Sequence, residues 1–168
     1  MKIYLELKHK LRNAKKIAVL GVGSDLRADD AAGMFVAKNI NKALNKNSKV
    51  RVFLGGIAPE NLTGDIKKFN PTHLIIVDCA DFKKKPGTIL LIGPKDLSGV
   101  SFSTHTLPLN ILADYIARDI NCETLIIGIQ PKTIEFEKPV SKEVKQAIKT
   151  LSDILIKVIY GIANYDLI

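Results

Sequence analysis

The stretch from Lys16 to Gly33 reads KIAVLGVGSDLRADDAAG, and the reading of the fold starts there. Its first half is a short apolar run closed by glycines, the pattern of a buried strand ending in a turn. Its second half sets two adjacent carboxylates, Asp29 and Asp30, ahead of Ala31, Ala32, Phe35, Val36, Ile40 and Leu44. Those apolar positions broadly follow helical spacing and predict a helix to about Lys46, with Asp29 or Asp30 suited to cap its first turn and to face the positive end of its dipole. A buried strand that feeds an amphipathic helix is the opening of an α/β unit.

Further along, VRVFLGG (Val50 to Gly56) reads as a second strand. A helix is expected from near Pro59 to about Phe69, where Asn70-Pro71 breaks it. THLIIVDCA and TILLIG, beginning at Thr72 and Thr88, supply strands three and four; TLIIGIQ, from Thr124 to Gln130, supplies the fifth. An amphipathic helix is expected over Leu107 to Ile120 and a long closing helix from Ser141 to about Ala163. Strand four follows strand three too closely for a helical crossover, so these two neighbours are expected to be antiparallel, with strand four at the sheet edge. The expected architecture is α/β, one domain over residues 1–168. It is a twisted five-stranded, mainly parallel sheet with one antiparallel edge strand and helices on both faces. In such folds ligands sit outside the carboxyl ends of the strands, where Asp30 and Asp78 should both lie.

The bulk properties narrow the function. The chain has 168 residues, 46% of them hydrophobic and 25% charged, and carries 25 Lys+Arg against 17 Asp+Glu for a net charge of +8. Its basic residues are scattered, and the densest run, Lys83-Lys84-Lys85, precedes the turn-like Pro86-Gly87 without aromatics that could stack bases, which points away from nucleic acid. The opening MKIYLELKHKLRNAKK alternates apolar and charged positions, so it holds no signal-peptide core, and no apolar run approaches a membrane span. The two cysteines, Cys79 and Cys122, flank apolar strand-like runs and do not suggest a disulfide framework. A cytoplasmic monomer is expected.

Several chemistries are excluded by what stands at particular positions. A dinucleotide fingerprint begun at Gly21 and Gly23 would need glycine at position 26, which is Leu26, and Asp29 and Asp30 would repel a pyrophosphate. There is no HExxH or GxSxG motif. Cys79 adjoins Asp78, whose charge favours the inert thiol. Asp78 ends the apolar run LIIVD, where an acid costs burial unless it is paired, hydrogen-bonded or metal-bound, so a functional role is expected, with capping of loop amides as the structural alternative. His105, in SFSTHTLPL before a helix, can reach the same crevice, whereas His9 is expected in solvent and His73 in packing or at the surface. A receiver domain also carries acids after strands one and three, but it needs a lysine ending strand five; here Gln130-Pro131 ends it and Lys132 comes later.

Taken in order, these segments resemble the hydrogenase maturation endopeptidases. The landmarks are GVGSDLRADDAAG, GGIAPENL from Gly55, VDCADFKKKPGTI around Asp78, STHTLPLNIL around His105, and GIQP from Gly128. GGIAPEN, THTLPLN and GIQP look most like the branch that serves the hydrogenase of formate hydrogenlyase. The resemblance implies a protease that removes a C-terminal extension from the large-subunit precursor of a nickel–iron hydrogenase after nickel insertion. It places the metal-contacting and catalytic groups on Asp30, Asp78 and His105, and implies nickel carried by the substrate. The chain departs from the family at Ser24, where Asn is common, and at Ala28 and Ala31, where Gly is common; Asp30 is Glu in some members. A non-catalytic chaperone of the nickel-loaded large subunit is compatible with the same residues.

Overall fold

The structure, a computed structural model, describes residues 2–93, 101–102 and 108–163. Its helices are α1 (Lys2–Lys10), α2 (Ala32–Leu44), α3 (Thr63–Phe69), α4 (Leu109–Ile120) and α5 (Lys142–Ala163). Its strands are β1 (Ile17–Val22), β2 (Val50–Gly56), β3 (His73–Asp81), β4 (Ile89–Ile92), β5 (Ser101–Phe102) and β6 (Glu123–Ile129). Short 3-10 turns at Ala28–Ala31 and Pro59–Leu62 lead into α2 and α3.

The main sheet has the order β2-β1-β3-β6-β4. Its first four strands are parallel and β4 is antiparallel to β6. This is the expected α/β sheet with one antiparallel edge strand. One expectation fails: the neighbour of β4 is β6, and β6 separates it from β3. The reason lies in burial. β3 is buried over all but its last residue and takes a parallel ladder on each side, whereas β4 is only partly buried and suits an edge. The two-residue strand β5 pairs antiparallel with the end of β3, setting Phe102 opposite Ala80 and Ser101 opposite Asp81.

The two faces of the sheet have separate cores. On one, α1, α2 and α5 pack over Val19, Ile75, Val77 and Ile127. The amphipathic opener is α1, whose Leu7, with Leu11 just beyond it, is fully buried there. In α5 the buried stripe Val144, Ala147, Ile148, Leu151, Leu155, Val158 and Ile159 keeps helical spacing. On the other face Ile66 and Phe69 of α3 and Leu109, Leu112, Ala113 and Ile116 of α4 cover Leu20, Leu74 and Ile76. Burying each such aliphatic chain contributes about 1.5–3 kcal/mol. Asn70 and Asn121 end α3 and α4 in the left-handed region, at φ 52° and 50°.

Candidate active site at the carboxyl ends of β1 and β3

Backbone contact brings the first turn of α2 onto the sheet. A Cβ at Gly33 would lie 2.1 Å from the Val77 carbonyl oxygen and 2.4 Å from that of Val22, so only glycine permits this approach. Val77 precedes Asp78, and Asp30 lies three residues before Gly33. The 3-10 turn that carries Asp30 accordingly packs on β3. The loop from β1 closes on the same turn: Gly23 has φ 128°, and a Cβ there would meet the Asp30 carbonyl oxygen at 1.8 Å.

Asp29, Asp30 and Asp78 are all fully buried, with 0% exposure. Neither Asp29 nor Asp30 caps α2, contrary to the expectation from sequence. Its N-cap is Ala31, without a side-chain cap bond, because the interposed 3-10 turn directs both carboxylates to loop amides instead. Asp30 Oδ2 accepts the Ser24 N–H at 2.8 Å, which fixes the carboxylate over the end of β1. Asp78 lies opposite Gly128 of β6 on the face covered by α4. By strand alternation Cys79, also fully buried, turns to the other face. This separates Cys79 from the carboxylate it adjoins in sequence.

Asp29 does something different from its neighbour. Its Oδ2 accepts the N–H groups of Lys132 (2.8 Å) and Thr133 (3.1 Å) and the Ser141 hydroxyl (2.9 Å), and its Oδ1 accepts the Ser141 N–H at 2.6 Å. It thereby binds the long loop between β6 and α5 to the site loop. Gln130 is a second clamp that sequence reasoning did not pick out. Its Oε1 accepts the N–H groups of Phe82 and Lys84, and its Nε2 donates to Asp81 Oδ1 at 3.0 Å. That Asp81 carboxyl is held below the usual range chiefly by the Lys83 amide and then by Gln130. The signal was present in GIQP, read there only as a landmark.

His105 lies outside the described residues. The described residues on either side of its segment both stand beside β3: Phe102 opposite Ala80, and Leu109 in the core with Ile76 and Ala80. Among the described residues no three His, Cys, Asp or Glu side chains cluster to hold a metal ion. His9 is exposed, as expected; His73 is buried in packing at the opposite end of the sheet.

Three departures from the family pattern acquire physical readings. Ser24 Oγ accepts the Leu26 N–H at 3.3 Å, a local turn that serine can form in place of asparagine. Ala31 has ordinary helical dihedrals and loses nothing by not being glycine. Ala28 has φ 40°, in the left-handed region that favours glycine. The receiver reading fails on the structure: β4 runs antiparallel, and Lys132 is engaged at the surface by Glu143, 2.8 Å away.

A mainly parallel α/β sheet with three buried carboxylates at its carboxyl ends, and with no phosphate-binding glycine fingerprint, suits acid–base or metal-assisted chemistry rather than nucleotide binding. The comparisons with known proteins make it specific. Residues 34–158 match the family model HycI, hydrogenase maturation protease, and the chain belongs to that family. It is 37% identical over 134 residues to the hydrogenase 3 maturation protease of Escherichia coli K12, covering 79% of this chain and 84% of that one. The crystal structure of a [NiFe] hydrogenase maturation protease HycI from Thermococcus kodakarensis superposes with a TM-score of 0.83 at 29% identity, covering 92% and 99% of the two chains. The solution structure of the endopeptidase HycI from Escherichia coli gives 0.74 at 36%, covering 84% and 90%. The chain is thus a hydrogenase maturation endopeptidase, and membership implies processing at the C-terminus of a nickel–iron hydrogenase large subunit. No described helix is long and apolar enough to cross a membrane.

Proposed function

We propose that this endopeptidase removes the C-terminal extension of the large-subunit precursor after nickel has been inserted, and that Asp30, Asp78 and His105 meet the nickel which the precursor carries. The observation that supports this best is the complete burial of Asp30 and Asp78 at the carboxyl ends of neighbouring parallel strands. Carboxylates held at strand ends offer hard oxygen ligands, and a divalent cation borne by the substrate would offset the cost of their buried charge. Two carboxylates and an imidazole leave coordination positions open for the scissile carbonyl or a water. The metal then polarises that oxygen, and one carboxylate assists proton transfer. Nickel in the precursor becomes the condition for cleavage. In this reading residues 1–168 act as one domain and as a monomer in the cytoplasm; the buried thiols Cys79 and Cys122 suit a reducing compartment.

The test mixes purified protein with nickel-free and nickel-loaded precursor and reads intact masses. Loss of a C-terminal fragment is expected only with nickel, and not with Asp30→Ala, Asp78→Ala or His105→Ala, each of which should retain the fold. Full activity in any one of these variants removes that residue from the mechanism. Tight nickel-dependent binding without mass loss would favour the non-catalytic chaperone.

A further inference from the structure

The loop between β6 and α5 has no regular structure, yet a fully buried carboxylate and four hydrogen bonds through Asp29 fix it. What the loop presents near its tip is Phe136, 55% exposed. The adjacent Glu137 N–H donates to the Leu26 carbonyl at 2.8 Å, so Phe136 is carried beside Leu26, which is 61% exposed. Leu26 belongs to the loop that holds Asp30 through the Ser24 amide. Phe35 of α2 is also exposed, and Lys38 links it to this loop by lying over its ring at 5.3 Å and pairing with Asp25 at 2.8 Å. The patch therefore has apolar side chains on anchored backbone and a charged margin, which is the anatomy of a protein-binding surface.

Its occupant follows from the reaction. A maturation endopeptidase must hold a folded protein, and a specific contact of this kind buries on the order of 800 Å² from each partner. Asp30 and Asp78 are fully buried and supply almost none of that area. Exposed surface around the site must supply it, and Leu26 lies in the loop that leads into Asp30. We infer that Leu26 and Phe136, flanked by Phe35, are the apolar anchor on which the folded large-subunit precursor docks, so that they set substrate affinity and leave the chemical step to the buried site. This rests on the proposed function above.

The test compares Leu26→Ser, Phe136→Ser and the double variant with wild type, using Tyr160→Ser on α5 as an exposed control away from the site. Binding of the nickel-loaded precursor is measured by calorimetry, and processing by intact mass. The double variant should weaken binding and raise KM by about tenfold or more, with kcat within about twofold of wild type, because a few central side chains carry most of the binding energy of such interfaces. The control should match wild type, and all variants should share its thermal unfolding midpoint. Unchanged affinity and KM in the double variant overturn the inference, as does a fall confined to kcat. Sedimentation of the protein alone tests a second copy as occupant: a dimer dispersed by the double variant would also overturn it. Since binding is read apart from cleavage, a wild type that binds but does not cut removes the proposed function while leaving the docking surface to be judged.

Discussion

At the amino ends of β1, β3 and β6 the polar groups close on one another. Thr72 Oγ1 accepts the amides of Lys15 and Lys16 and donates to the Lys16 carbonyl, and the His73 and Thr72 amides reach that same carbonyl. Lys16 Nζ donates to the Phe69 carbonyl and lies over its ring at 4.4 Å. At the carboxyl ends the buried groups are carboxylates: Asp29 is held by amides from a loop distant in sequence, and Asp30 by the Ser24 amide of its own loop. There α2 approaches so closely that Gly33 touches the backbone of two strands. The amino end is closed by neutral groups or by a lysine that keeps its charge near the surface. The carboxyl end removes three acids from water, a costly arrangement that a folded chain retains where the acids hold loops in place or do chemistry. Asp29 holds a loop, and under the proposed function the adjacent, equally buried Asp30 would take the other task.

That division can be broken most severely at Asp29. Asp29→Ala strands the amides of Lys132, Thr133 and Ser141 and the Ser141 hydroxyl, and should cost about 3 kcal/mol or more of stability. Chemical denaturation would show a lower midpoint. A loss below about 1 kcal/mol at Asp29 would mean that the β6–α5 loop is held by something else.

A smaller effect should appear at the opposite end. Burial pushes the His73 imidazole below its ordinary value of 6.5, against the weaker pull of Glu123, whose Oε2 is 3.3 Å from Nε2. The folded state thus favours neutral His73. Above pH 6.5 both states are neutral and the full stability is present; as pH falls through that value the unfolded chain takes up the proton first, and stability declines until the folded pKa is passed. Urea midpoints at pH 7.5 and 5.5 should separate more for wild type than for His73→Gln. Equal separation would remove His73 as the sensor.

The mildest change is at Ala28. Ala28→Gly relieves a left-handed alanine worth about 1–2 kcal/mol but adds glycine's unfolded-state entropy of roughly 0.5–1 kcal/mol, so a gain of up to about 1 kcal/mol is expected. Calorimetric unfolding would register it as a small rise in midpoint, and a fall would show that the Ala28 methyl packs better than its dihedrals cost.

Much of this was legible beforehand because it rests on local periodicity. The apolar run Ile17–Val22, the closing helix α5, the break at Asn70 and the acids at strand ends each depend on neighbours within a turn or a strand. The placement of β4 was not legible, because chain proximity argues for pairing with β3 while the burial of β3 demands β6. Nor was the role of Gln130 or Asp29, whose long-range partners lie 46 to 112 positions away.

The sequence by itself determined most of the strands and helices, though not α1 or β5, the family to which the chain belongs, and that Asp30 and Asp78 stand at strand ends. Tertiary structure alone decided that Asp29 clamps a loop while Asp30 faces the end of β1, and which strand closes the sheet edge. Periodicity and propensity are written in neighbouring residues, whereas the satisfaction of a buried carboxylate depends on donors that only the folded chain brings within hydrogen-bonding distance.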